Sequence, residues 1–188
     1  MTDKTHYTDA FSAAAGTVGS RVVRLQDAGQ VLEYLGRHAG GPLMVPSFPS
    51  GQRLGLAQRL AGAGLEVLTG AFRQAGRSAA AGVSGVNFAL ADTGTLVLDS
   101  TDEAIRLATT LPERHFALLD PLKILADGLA AVAPLRALHR RDPRNYIAYI
   151  TGPSRTADIE RVLTIGVHGP KELHILLVPG LSSDLLEL

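Results

Sequence analysis

Short apolar runs alternate with amphipathic segments over the first third of the chain, and this alternation limits the possible folds more than any other feature. The runs at 21–25, 43–45 and 65–69 have the length and pattern of strands. Between them, Asp27 can cap one helix, and the residues at 50–51 can begin a second. Strands that are separated by helices favour an α/β unit with parallel strands.

The middle of the chain shows a different pattern. Two apolar runs at 86–91 and 95–98 flank Asp92-Thr93-Gly94, and a connection of this length that contains glycine predicts a β-hairpin. Residues 71–84 are rich in alanine, glycine and serine, which favours a helix or loop at the edge of the sheet. We therefore expect a hairpin inserted into a mostly parallel sheet that is flanked by helices.

The second half of the chain continues the alternation of helices and strands. The predicted elements are a helix capped by Thr101, a strand at 115–119, one or two helices over 122–138, a strand at 145–151, a short helix at 156–163 and a last strand at 172–178. A chain of 188 residues has the size of one domain. We expect that domain over 21–188, preceded by a helical or partly ordered segment at 1–20.

The composition excludes several classes of function. The chain contains no cysteine, which excludes disulfides, thiolate zinc sites and cysteine-ligated iron–sulfur clusters on this chain. Eighteen basic residues balance eighteen acidic ones, so no net charge favours nucleic acid. The chain contains no run of about 18 apolar residues, the length that would predict a membrane span. The six histidines show no metal-ligand spacing. We therefore expect no resident metal or cofactor on this chain. Because residues 1–10 lack the apolar core of a signal peptide, we also expect a cytoplasmic protein.

Three polar segments could carry chemistry. In the first, at 91–95, the carboxylate of Asp92 lies among two hydroxyls and a glycine at the predicted hairpin tip. It could act as a nucleophile or general base, although aspartate and glycine also favour turns for backbone reasons alone.

The second segment, at 151–160, leaves a predicted strand and enters a predicted helix. Ser154, Arg155 and Thr156 could bind an anion there, because backbone N–H groups at a helix start favour negative charge and arginine binds carboxylate or phosphate through two N–H groups. The alternative is an ordinary helix cap beside a solvated arginine.

In the third segment, at 166–170, His168 lies between two glycines and could act as an acid or base, or could be an ordinary turn residue. His115 and His174 lie on strand patterns, which favours a packing role for both.

Together these segments resemble the lactate-utilisation protein C family, whose members consist of a LUD domain. The resemblance rests on GVSGVNFALADTGTLVL at 82–98, TGPSRTADIE at 151–160 and GVHGPKELHILLV at 166–178, and it covers roughly residues 75–180. It implies a fold related to phosphosugar isomerases, glucosamine-phosphate deaminases and CoA-transferases. It also implies a part in oxidising L-lactate to pyruvate together with iron–sulfur partner proteins, which would carry the clusters.

The resemblance also identifies candidate site residues. We expect catalytic roles for Asp92 and His168, and ligand-binding roles at the other matching positions, which are Thr93, Gly94, Thr95, Gly152, Ser154, Arg155, Thr156, Asp158, Glu160 and Gly169. Asn87 stands where the resemblance implies an acidic residue in many relatives.

Three functions are compatible with these residues. The chain could be an accessory subunit that binds a small anion, such as lactate, pyruvate or a phosphate or CoA compound. It could instead be a self-sufficient enzyme of the CoA-transferase or phosphosugar-isomerase type, with Asp92 as base or nucleophile and Arg155 as anion ligand. The third possibility is a ligand-binding regulator that has lost catalysis.

Overall fold

A six-stranded parallel sheet forms the centre of the computed structural model, which describes residues 4–142, 144–156 and 164–188. Its strands are β1 (Arg21–Arg24), β2 (Leu43–Met44), β3 (Val67–Leu68), β4 (Ala81–Gly85), β7 (Arg114–Leu119) and β12 (Glu172–Leu177). They are arranged in the order β1-β12-β7-β4-β2-β3, and every neighbouring pair is parallel. The predicted α/β fold with a mostly parallel sheet is confirmed.

The predicted hairpin is present, and the structure places it in a second, separate sheet. That sheet contains β5 (Phe88–Leu90), β6 (Thr95–Asp99), β8 (Ile124–Leu125) and β9 (Ile147–Ile150), in the order β8-β5-β6-β9. Asn87 lies between the two sheets, where its side-chain oxygen accepts a hydrogen bond of 2.6 Å from the Asp99 N–H. A further short antiparallel pair consists of β10 (Arg155–Thr156) and β11 (Thr164–Ile165).

Seven helices lie within the described residues. They are α1 (Lys4–Thr17), α2 (Ala28–His38), α3 (Pro49–Arg53), α4 (Leu56–Gly62), α5 (Phe72–Ala75), α6 (Glu103–Thr110) and α7 (Val132–Arg141). Asp27 caps α2 as predicted, because its carboxylate accepts the Gln30 N–H at 3.0 Å. The cap of α6 is Asp102 rather than the predicted Thr101. Within the described ranges, no helix has both the length and the apolar character that a bilayer span requires.

Residues 81–85 and 121–125 differ from their predicted elements. Residues 81–85 form β4 in the middle of the sheet rather than a helix or loop at its edge, because α6 packs so closely that Gly82 faces the Ala108 carbonyl. The small residues of β4 led to the prediction of an edge segment. In the structure they are small because α6 packs directly on the strand. Residues 121–125 form a 3₁₀ turn and β8 instead of a helix, and Pro134 occupies the first turn of α7, where proline is tolerated.

The apolar core has a part on each face of the parallel sheet. On one face, Val31 and Leu35 of α2 and Leu60 of α4 pack near Val83 and Phe116. On the other face, a second cluster comprises Phe11 and Ala15 of α1, Leu96 of β6, and Ala117, Leu173 and Ile175 of the sheet. Helix α1 is thus part of the core, and the domain boundary predicted after residue 20 stays a prediction.

Candidate functional site

Two of the three polar segments form walls of one cavity. Residues 151–154 follow β9 and residues 166–170 precede β12, and their backbones are joined by hydrogen bonds. The Ser154 N–H donates to the Pro170 carbonyl at 2.9 Å, and the Gly166 N–H donates to the Ser154 carbonyl at 2.8 Å. With the end of α6 they enclose a cavity of about 240 Å³. The tertiary fold therefore brings together two motifs that are separate in the chain.

A buried histidine, which contacts a buried serine, lies in the wall of this cavity. His115 lines the cavity from the second position of β7, and its Nε2 atom is 2.8 Å from the Ser84 hydroxyl on the neighbouring strand β4. Both residues are almost fully buried. Burial, and to a smaller extent the charge of His174, lowers the pKa of His115 to about 4. The imidazole is therefore neutral near pH 7.

His174 has a different environment, on the opposite face of the sheet. The Tyr34 hydroxyl is 2.9 Å from its Nδ1 atom, and the Glu172 carboxylate is 2.9 Å from its Nε2 atom. Phe116 lies against the ring with centroids 4.8 Å apart. The packing role expected for His174 agrees with these contacts, whereas His115 also faces the cavity.

The hairpin tip is connected to the cavity rim by a series of hydroxyl groups. Thr95 Oγ1 is 2.8 Å from Thr151 Oγ1 and donates to Thr93 Oγ1 at 2.8 Å. Thr93 in turn donates to the Asp92 carboxylate at 3.3 Å. Asp92 and Thr93 are exposed, and Asp92 does not line the cavity. A catalytic role for Asp92 stays a prediction, and its observed contact orients the threonine hydroxyls.

The two glycines of the first two segments are required by close packing and by their backbone conformation. Gly94 has φ +66°, and a Cβ atom there would lie 2.3 Å from the Ala15 nitrogen of α1. Gly152 has φ +81°, and a Cβ atom would lie 2.4 Å from the Val18 carbonyl oxygen. Both conformations favour glycine. These contacts fix the hairpin tip and the following loop against the end of α1, so neither glycine needs a ligand to explain it.

The predicted helix start at the second segment is wrong where the structure describes it. Arg155 and Thr156 are extended and pair with Ile165 and Thr164, so these residues supply no helix N-terminus for an anion. Arg155 is exposed, its guanidinium lies beside Gly152, and it does not line the cavity. The other two predicted ligand residues of this segment, Asp158 and Glu160, lie outside the described residues.

The third segment supplies residues at the cavity mouth. His168 is exposed and lines the cavity, and Gly169 packs against the Ser154 side chain, since a Cβ atom at 169 would be 3.1 Å from Ser154 Cβ. Leu173 and Ile150 add apolar wall. The described lining therefore consists of hydroxyls, imidazoles and apolar groups and contains no carboxylate, lysine or arginine. Groups of three or more histidine, aspartate or glutamate side chains suited to a metal are absent from the described residues.

The chain is similar to several known proteins. It is 40% identical over 98 residues to an uncharacterized protein of Neisseria meningitidis, a match that spans 52% of this chain and 42% of that relative. It is 30% identical to lactate utilization protein C of Bacillus licheniformis over 84% of this chain and 70% of the relative. The Bacillus subtilis protein of the same name is also 30% identical, over 78% of this chain and 66% of the relative.

The fold and the motif region have matches as well. A crystal structure of a DUF162 family protein from Deinococcus radiodurans superimposes with a TM-score of 0.66 at 18% identity, covering 95% of this chain and 99% of that chain, which shows the shared fold. The family model of the LUD domain matches residues 56–178. Because that match covers more than half of the chain, and a relative at 30% identity is matched over 70% of its length, the chain belongs to the LUD domain family and is related to the lactate utilization C proteins.

Proposed function

We propose that this chain is a component of a lactate utilisation system in which it binds a small hydroxy or keto acid, lactate or pyruvate. The observation that carries the proposal is the cavity lined by residues 151–154 and 168–170 together with His115, whose ring contacts Ser84. The similarity to proteins named lactate utilization protein C supports the choice of ligand.

The size and lining of the cavity suit a three-carbon acid. At about 240 Å³ it is smaller than the roughly 300–1,000 Å³ of pockets for drug-sized ligands. The Ser154 hydroxyl and the His168 imidazole can donate to a carboxylate at the mouth, and Leu173 can contact a methyl group. The neutral His115 can accept a hydrogen bond from an α-hydroxyl group.

Electrons would leave through other proteins. Oxidation of lactate to pyruvate releases two electrons and two protons. Because the chain has no cysteine, it lacks the usual ligands of an iron–sulfur cluster. We therefore include iron–sulfur partner proteins in the proposal, with this chain as the subunit that holds the acid.

The geometry favours this proposal over a self-sufficient enzyme that uses Asp92 and Arg155 on one ligand. Both side chains are exposed, and neither lines the cavity. A binding protein without catalysis would share the same cavity, and turnover by the reconstituted system separates these two functions.

We expect the purified chain to bind L-lactate or pyruvate in isothermal titration, and His168→Ala and Ser154→Ala each to weaken binding about tenfold. A hydrogen bond to a charged group is worth about 1.5–3 kcal/mol, and 1.4 kcal/mol is a factor of ten. His6→Ala, which removes an exposed histidine of α1, is the matched control and should bind as the unchanged chain does.

Growth on lactate tests the same proposal in the cell. A strain without this gene should grow poorly on lactate, and only the unchanged chain or His6→Ala should restore growth at equal protein level. Binding of neither acid at millimolar concentration, or equal binding by all variants, would contradict the cavity as the site.

A further inference from the structure

Residues 181–188, here called the strap, cross the carboxyl ends of the central strands β4 and β7. The Ser182 N–H donates to the buried Asp120 carboxylate, directly after β7, at 3.1 Å. Leu188 lies on the backbone of Gly85 at the end of β4, since a Cβ atom at Gly85 would be 2.4 Å from the Leu188 carbonyl carbon. In α/β sheets, ligands bind outside the carboxyl ends of the strands. The strap therefore fills the place that a ligand would take.

Three hydrogen-bond donors converge on two backbone oxygens of the strap. Lys123 Nζ donates to the Glu187 carbonyl at 2.6 Å, and Ser50 donates to the Leu188 oxygen through its N–H at 3.2 Å and its hydroxyl at 2.8 Å. The two neighbouring oxygens accept hydrogen bonds from an ammonium and a serine. The two oxygens of a carboxylate could accept hydrogen bonds from the same donors.

The ammonium of Lys123 is buried, and its hydrogen bonds go to backbone carbonyls. The residue is 2% exposed, and its other hydrogen bond goes to the Val86 carbonyl at 3.3 Å. In the part of the chain that the structure describes, Lys123 takes part in no ion pair. Burial lowers the pKa of Lys123, and the nearby carboxylates of Glu187, Asp184 and Asp120 offset part of this effect. A buried cation is stabilised by a paired anion, so a carboxylate in place of the strap oxygens would improve its environment.

The strap is held from outside by arginines at the surface. Arg53 pairs with the Glu187 carboxylate and donates to the Leu181 carbonyl at 2.9 Å, and Arg141 donates to the Leu186 carbonyl at 2.6 Å. The Glu187 side chain is 22% exposed, and its hydrogen bond from Arg53 lowers the pKa of Glu187 to about 2, so this pair is the main outer contact of the strap. A cavity of about 360 Å³, lined in part by Glu187 and Leu188, lies alongside. Displacement of the strap would also expose the leucines at 181, 185, 186 and 188, which pack against the core, and would open a larger space.

We propose that residues 181–188 form a displaceable strap over a carboxylate-binding site at the carboxyl ends of β4 and β7, in which Lys123 and Ser50 bind the carboxylate. This site is separate from the cavity described above, which lies at the amino ends of β7 and β12. Its occupancy depends on opening of the strap, so contacts that hold the strap reduce the apparent affinity for a ligand.

Acetate is a suitable probe, titrated into the full chain and followed by NMR. Glu187→Ala, which removes the ion pair between Arg53 and the strap, should bind acetate at least threefold more tightly and exchange the amides of 182–188 faster. Lys123→Met should bind at least tenfold more weakly, and Ser50→Ala about threefold more weakly. Glu33→Ala breaks an exposed pair with Arg37 on α2 and is the matched control, expected to behave as the unchanged chain.

The double variant Glu187→Ala with Lys123→Met tests whether acetate binds to Arg53, which has lost its ion pair, instead of to Lys123. It should lose the gain in affinity, and retention of that gain would overturn the proposal. Equal acetate affinity in Glu187→Ala and the unchanged chain would also overturn it. If Lys123→Met does not fold, Ser50→Ala replaces it in the test, and unchanged acetate binding by Ser50→Ala would overturn the proposal. Signals of Ser50 and Lys123 report this site, whereas those of Ser154 and His168 report the cavity, so either proposal can fail alone.

Discussion

Gly82→Ala should destabilise the chain by about 3 kcal/mol, at the upper end of the usual cost of overpacking a core. A Cβ atom at Gly82 would lie 1.8 Å from the Ala108 carbonyl oxygen. That oxygen belongs to the backbone of α6, so the clash can be relieved only by moving α6 away from β4. Urea unfolding at neutral pH measures the loss as a lower midpoint with an unchanged slope.

The matched substitution is Gly62→Ala, near the end of α4. A Cβ atom there would have no neighbour within 4 Å, and alanine favours a helix more than glycine does. We expect it to be neutral or to stabilise by up to about 1 kcal/mol. Equal midpoints for the two variants would show that α6 does not pack on β4 as closely as the structure places it.

Acidification from pH 7 to pH 5 should lower the free energy of unfolding by about 2 kcal/mol through His115 alone. Its pKa falls from 6.5 to about 4 on folding because the ring is buried. The unfolded chain therefore takes up a proton between pH 6.5 and 4 that the folded chain does not bind. Stability is complete above the unfolded pKa and is lost as the pH falls. Burial also lowers the pKa of His174, which adds a contribution of the same sign.

The measurement is the free energy of unfolding at several pH values for the unchanged chain, His115→Gln and the exposed His6→Gln. We expect His115→Gln to be less stable at pH 7, because the Ser84 contact changes, yet to lose less of its stability on acidification. His6→Gln should follow the unchanged chain. A pH dependence that is the same in all three chains would place the acid sensitivity elsewhere.

The sequence predicted some residues of the candidate site and missed others. Ser154, His168 and Gly169 stood out as dense polar or glycine-rich turns, and all three lie at the cavity. His115 did not stand out, because a histidine within an apolar strand is usual for a packing residue. Its partner Ser84 lies 31 residues away in the chain, and only the pairing of β4 with β7 brings the two together.

Asp92 is the opposite case, because the sequence predicted it as a site residue and it does not line the cavity. The turn chemistry around it correctly predicted a hairpin, because aspartate and glycine favour such a connection whatever surrounds them. Whether the carboxylate faces a cavity depends on how the tip packs, and here it packs on α1 through Gly94. Local pattern could therefore predict the turn but could not decide the role of its acid.

The sequence by itself determined the α/β class, the strands at 21–25, 115–119 and 172–178, the hairpin, and membership of the family, because each depends on local pattern or on short motifs. The tertiary structure decided what long-range packing controls. It placed β4 at the centre of the sheet, put the hairpin in a second sheet, and laid residues 181–188 across the strand ends. The local sequence does not predict these features. The small residues of β4 and the polar residues of the strap are explained by contacts with chain segments that are distant in the sequence.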